Sequence, residues 1–142
     1  MREILFRGKR IDNGEWVEGD LLRAAYFLNG KERHYIFTDC EEYPGNEFIG
    51  YKEVNPETVG QFTGLTDKNG KQIFEGDIVN GLFLFGMEIK AVVAFQDGAF
   101  GLQWNRGNVT EFSAFTSICN VTYEVVGNIH DNPELLGGAE DE

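Results

Sequence analysis

The side chains that could do chemistry are few and far apart. His34 and His130 are the two histidines, and neither has a second His, Cys or acid at the spacing that metal ligation requires. Cys40 and Cys119 are too widely separated for a disulfide framework or a metal knuckle. A Cys/His pair would also need an activating turn and a third orienting group, which the sequence does not supply. The thiols are therefore expected to be reduced and buried. Glu75 and Asp77, two apart on a strand, could hold a divalent cation. The favoured reading of those residues is structural: Glu18-Gly19-Asp20 and Glu75-Gly76-Asp77 form a repeated turn motif, with Gly supplying an unusual φ and Asp bonding to nearby backbone. Gly64 to Gln72 superficially resembles a phosphate-binding loop, but it has five residues between its glycines and Gln72 where Ser or Thr is needed. A hairpin turn explains it better. No catalytic residue, metal or cofactor is expected.

A basic cluster, Arg2, Arg7, Lys9 and Arg10, is the one place where nucleic acid could be contacted. Trp16, Tyr26, Tyr35, Tyr51 and Trp104 could stack on bases, but positive charge around most of them is sparse, which favours cross-strand packing. Charge weighs against phosphate binding more broadly. Asp and Glu outnumber Lys and Arg by 24 to 12, a formal charge of −12 that repels nucleic-acid backbones and favours a basic protein partner.

The elements that must position these groups are strands. Short β-branched and aromatic segments alternate with Gly, Asn and Asp, the pattern of a β-meander. In the first half they are Ile4–Arg7, Glu15–Val17, Leu21–Leu28, His34–Thr38, Phe48–Val54 and Val59–Thr63. In the second they are Lys71–Phe74, Ile78–Phe85, Glu88–Phe95, Ala99–Trp104, Val109–Phe115 and Thr122–Ile129. Asp12-Asn13-Gly14, Asn29-Gly30, Asn69-Gly70 and Asp97-Gly98 can close tight hairpins. Asp131 to Leu136, with a capping side chain and an early Pro, starts a short helix. The acidic segment 137–142 has no apolar anchor and is expected to be mobile. No apolar run reaches the length of a membrane span, and no signal peptide is evident, so the expected location is the cytoplasm.

The chain also matches itself. Phe6-x-Gly8, Asn13-Gly14 and Glu18-Gly19-Asp20 recur in order as Phe62-x-Gly64, Asn69-Gly70 and Glu75-Gly76-Asp77. Val126-Gly127-Asn128-Ile129 echoes Val59-Gly60-Gln61-Phe62, so each unit is expected to end in a similar strand. The expected fold is mainly β: two related small SH3-like barrel units with a short C-terminal helix. Residues 1–63 form the N-terminal β unit, 64–136 the C-terminal SH3-like barrel and 137–142 the tail. The two Glu-Gly-Asp turns should then occupy equivalent positions.

Met1 to Lys9, Thr58 to Leu65, Asp67 to Gly70, Ile73 to Val79, Tyr123 to Ile129 and Asn132 to Leu135 together resemble the YopX family of phage and prophage proteins. The resemblance runs in order along nearly the whole chain. It implies a mostly-β fold with an SH3-like component and an origin in a phage or prophage, and it offers no catalytic residues to transfer. The expected function is a non-enzymatic protein-interaction module with a basic partner, with self-association through strand edges also compatible. The alternative is a nucleic-acid binder using Arg2, Arg7, Lys9 and Arg10.

Overall fold

The computed structural model describes residues 2–25, 32–38, 50–84, 86–115 and 123–137. Cys40, Cys119, Tyr26, the Asn29-Gly30 turn and the acidic tail beyond position 137 lie outside the described residues. The chain divides into two compact units, Met1–Phe62 and Thr63–Glu142.

In the first unit, β1 (Phe6–Lys9), β2 (Trp16–Ala25), β3 (Glu32–Phe37) and β4 (Tyr51–Val54) form an antiparallel meander. A 3-10 turn, Pro56–Thr58, is capped by the Asn55 side chain and leads into β5 (Gly60–Thr66), which lies beside β1. With β6 (Gln72–Phe74) beside β5, the order of this six-stranded sheet is β4-β3-β2-β1-β5-β6. Strand alternation puts Ile36 and Val54, both fully buried, on the inner face. Gly8 lets Val54 settle there, since a Cβ on Gly8 would lie 3.0 Å from the Val54 Cβ.

In the second unit, the later part of β5 forms a hairpin with β6 (Gln72–Phe74), where the Thr63 hydroxyl donates to the Ile73 carbonyl at 2.8 Å. The strands β7 (Asp77–Leu84), β8 (Met87–Gln96), β9 (Ala99–Arg106) and β10 (Val109–Ala114) make a second meander. It is completed by β11 (Glu124–Asn128) beside β7, giving the order β10-β9-β8-β7-β11. Ile73, Val79, Ala91, Val93, Leu102 and Tyr123 form the core. The helix α1 (Glu134–Gly137) is a single turn.

The two sheets share a core connectivity, four meandering strands and a fifth returning beside the first, to which the first sheet adds β6. The correspondence extends to hydrogen bonds. Gln61 pairs with Phe6, and the next residue, Phe62, donates its N–H to the Leu5 carbonyl at 2.8 Å. Asn128 pairs with Asp77, and the next residue, Ile129, donates to the Gly76 carbonyl at 2.9 Å. The echo between Val59–Phe62 and Val126–Ile129 therefore falls on corresponding closing strands.

Two expectations are corrected. The sheets are open: among the described residues an isolated bridge, Arg10 to Val54, brings β4 back toward the end of β1, but no ladder closes a barrel. The Glu-Gly-Asp motifs are not equivalent turns. Glu75-Gly76 turns the chain between β6 and β7, with Gly76 at φ 90°. Glu18-Gly19-Asp20 instead lies inside β2, joining the expected strands Glu15–Val17 and Leu21–Leu28 into one. There Gly19 pairs with Phe6 and Asp20 with Phe37, so neighbouring strands satisfy the backbone and no turn is needed. Gly19 is required by crowding, because a Cβ would sit 1.8 Å from the Phe37 carbonyl oxygen.

Candidate functional site

Register determines which side chains share the outer face of the first sheet. Lys9 opposes Trp16, Arg7 opposes Glu18, Asp20 opposes Phe37, Leu22 opposes Tyr35, and Phe37 opposes Tyr51. All lie on the side opposite Ile36 and Val54. At one end, the Arg7 guanidinium carbon lies 4.7 Å from the Trp16 ring centroid and the Lys9 Nζ lies 5.7 Å from it. Both are within cation–π range. At the other end, the Phe37 and Tyr51 rings meet edge-on with centroids 4.9 Å apart. Leu22, Phe37 and Tyr51 are 45%, 39% and 50% exposed, large apolar side chains turned toward solvent on one patch. Glu18 and Asp20 border that patch and are exposed.

The basic cluster is only partly brought together. Arg7 and Lys9 join Trp16, but Arg10 turns away, its Nε and terminal nitrogen donating to the two Asp12 carboxylate oxygens at 2.9 and 2.6 Å. That hydrogen bond, with the guanidinium charge behind it, holds the Asp12 carboxyl below its usual value despite some desolvation. Arg2 is exposed in the segment before β1.

In the second Glu-Gly-Asp motif, Asp77 is 1% exposed and accepts the Phe74 N–H at 2.8 Å. This local bond sets the turn. The segment resembling a phosphate-binding loop is the β5–β6 hairpin, closed by Asp67. One Asp67 oxygen accepts the N–H groups of Asn69 and Lys71 at 2.8 and 2.9 Å, and the other accepts that of Val125 at 3.0 Å. Burial pushes the Asp67 carboxyl up, but these three backbone donors and the Lys71 charge outweigh it, leaving the group below its ordinary value. The Asp-x-Asn-Gly pattern marks this turn in the sequence, but the Val125 N–H that makes Asp67 a clamp lies 58 residues away.

His34 Nε2 lies 3.4 Å from a Glu32 carboxylate oxygen on the same strand. The His130 N–H donates to the Asn128 side chain at 2.9 Å. Among the described residues, no group of three or more His, Cys, Asp or Glu is placed to hold a metal ion. No described helix is long and apolar enough to cross a membrane.

Among the described residues, two antiparallel sheets of six and five strands, one with an aromatic outer face, and a single short α-helix define a mainly-β protein. Residues 5–137 match the family described as YopX protein, and the chain belongs to the YopX family. Its fold is similar to that in the crystal structure of protein EF1440 from Enterococcus faecalis. The two are 24% identical over 96% of this chain and 99% of that one, with a TM-score of 0.54. At that identity the likeness is one of fold. No curated protein matches the sequence.

Proposed function

We propose that this is a phage- or prophage-encoded, non-enzymatic interaction module that works in the cytoplasm and binds a basic protein. The observation that carries this reading is how the N-terminal cations are used. Arg10 is engaged by Asp12, and Arg7 and Lys9 sit over Trp16. A phosphate backbone would have to displace these contacts, and a base could not stack on a Trp face already covered by cations. The chain as a whole repels phosphate: residues 1–62 carry eight Lys and Arg against twelve Asp and Glu, and residues 63–142 four against twelve. The field around the molecule therefore attracts cationic partners and steers them in.

The test is fluorescence anisotropy of the full chain with labelled probes at about 150 mM salt, where exposed charges more than about 8 Å apart are largely screened. A short peptide alternating arginine and leucine is expected to bind, with a short DNA duplex and a single-stranded RNA binding much more weakly. Tighter binding to either nucleic acid, lost when Arg7, Lys9 and Arg10 become Ala, would replace this reading with the nucleic-acid one.

A further inference from the structure

We infer that the partner docks on the outer face of the first sheet, at Leu22, Phe37 and Tyr51, and that it presents arginine or lysine beside an apolar residue. This inference rests on the basic-partner reading above and adds the site and the chemistry of the docking segment.

The two ends of that face have the same composition of parts but are completed differently. Each end combines aromatic surface with nearby carboxylate. At the Trp16 end, the chain supplies its own cations, Arg7 and Lys9. At the Phe37 end it supplies none: among the described residues neither the Phe37 nor the Tyr51 ring is covered by a cation, and Asp20, directly across from Phe37, has no ion pair. Glu18, two residues along the same strand face, likewise has no ion pair among the described residues, and the Arg7 opposite it sits over Trp16. The nearby cation Arg33 lies 3.7 Å from Glu53 and Arg23 lies 3.9 Å from Glu32.

An exposed aromatic pair bordered by two carboxylates that have no ion pair among the described residues suits a guanidinium that stacks on a ring while donating to an acid, as an arginine fork does. The half-exposed Leu22 and the ring edges would take an adjacent apolar side chain. The docking segment is thus a basic-apolar stretch of protein, with charge complementarity fixing its sign and the aromatic pair its place.

The test is titration of the isotope-labelled full chain with the arginine-leucine peptide, followed by amide NMR shifts, alongside an arginine-glycine peptide of equal charge. Shifts are expected to centre on Glu18 to Leu22, Phe37 and Tyr51. Affinity should exceed that for the glycine peptide by about tenfold, equivalent to about 1.4 kcal/mol. Phe37→Ser with Tyr51→Ser should weaken binding by a similar factor. Glu18→Gln with Asp20→Gln, which leaves the apolar surface intact, should weaken it independently, so the outcome does not hang on one variant's folding. Binding with shifts elsewhere, or affinity unchanged in both variants, would overturn the site while leaving the basic-partner reading standing. Absence of binding to either peptide would overturn both. Concentration-dependent broadening of these same resonances without peptide would make a second copy of the chain the occupant and overturn the inference.

Discussion

An alanine at position 19 would push its Cβ to 1.8 Å from the Phe37 carbonyl oxygen, a backbone atom that no rotamer change can move, so β2 and β3 would have to separate. Gly19→Ala is expected to cost more than about 2 kcal/mol of stability by urea unfolding, the range associated with overpacking a crowded site. Gly14→Ala, at φ 75° with nothing within 4 Å of the added Cβ, should cost only the left-handed strain of about 1–2 kcal/mol. Equal costs would show that the close approach at Gly19 is easily relieved. Asp67 gives a pH-dependent prediction. Its carboxyl is held below 3.8 in the fold, so its contribution is fully present above pH 3.8 and is lost as pH falls through the lower folded value. Asp67→Asn keeps one acceptor oxygen but turns the other into an NH2 donor facing an N–H that needs an acceptor. It should lower neutral-pH stability by about 1–3 kcal/mol and flatten the loss below pH 3.8. Unfolding midpoints across pH would check both effects; an unchanged acid limb would count against the clamp. At this scale the sequence shows which residues permit a turn but not which glycines are crowded. Glu-Gly-Asp reads alike at both sites, while the partner that makes Gly19 necessary, the Phe37 backbone, is distant in sequence.

Strand identity was largely legible because alternation and turn residues carry it locally. Asn69-Gly70 and Asp97-Gly98 do turn the chain, and β3, β8 and β9 lie close to where β-branched and aromatic runs placed them. Pairing was less legible, since it depends on partners far apart in the chain. The repeat was visible, but its structural correspondence lies in the closing strands, where Gly60 and Gly127 pair with Arg7 and Ile78. The aromatic outer face was missed for a related reason: Tyr35 and Tyr51 look the same in sequence whether strand register turns them inward or outward. That register predicts a clear contrast. Ile73→Ala removes a fully buried core side chain and should cost about 2–5 kcal/mol. Leu22→Ala, on the open face, should stay within about 0.5 kcal/mol. A large cost at Leu22 would mean that the outer face is packed against something in the chain and is not available to a partner.

Across the whole molecule, composition gives the sign of the field but not where it acts. The carboxylate excess is strongest in residues 63–142, four cations against twelve acids, yet the exposed aromatic pair bordered by Glu18 and Asp20 lies in the first unit. Long-range attraction and local docking are therefore separate properties: the first follows from net charge and weakens with salt, the second from Glu18, Asp20, Phe37 and Tyr51. The most direct measurement is a charge reversal on the proposed face, comparing the affinity of the unaltered chain and of Glu18→Lys with Asp20→Lys for the arginine-leucine peptide and for a glutamate-leucine counterpart. Two substitutions change net charge from −12 only to −8, leaving the overall field acidic. If the face is the docking site, the reversed variant should lose the arginine-leucine peptide by about tenfold or more and gain measurable affinity for the glutamate-leucine peptide, a change of at least about 1.4 kcal/mol in each direction. If the variant binds the arginine-leucine peptide as the unaltered chain does, the face is not the docking site and the central claim is contradicted.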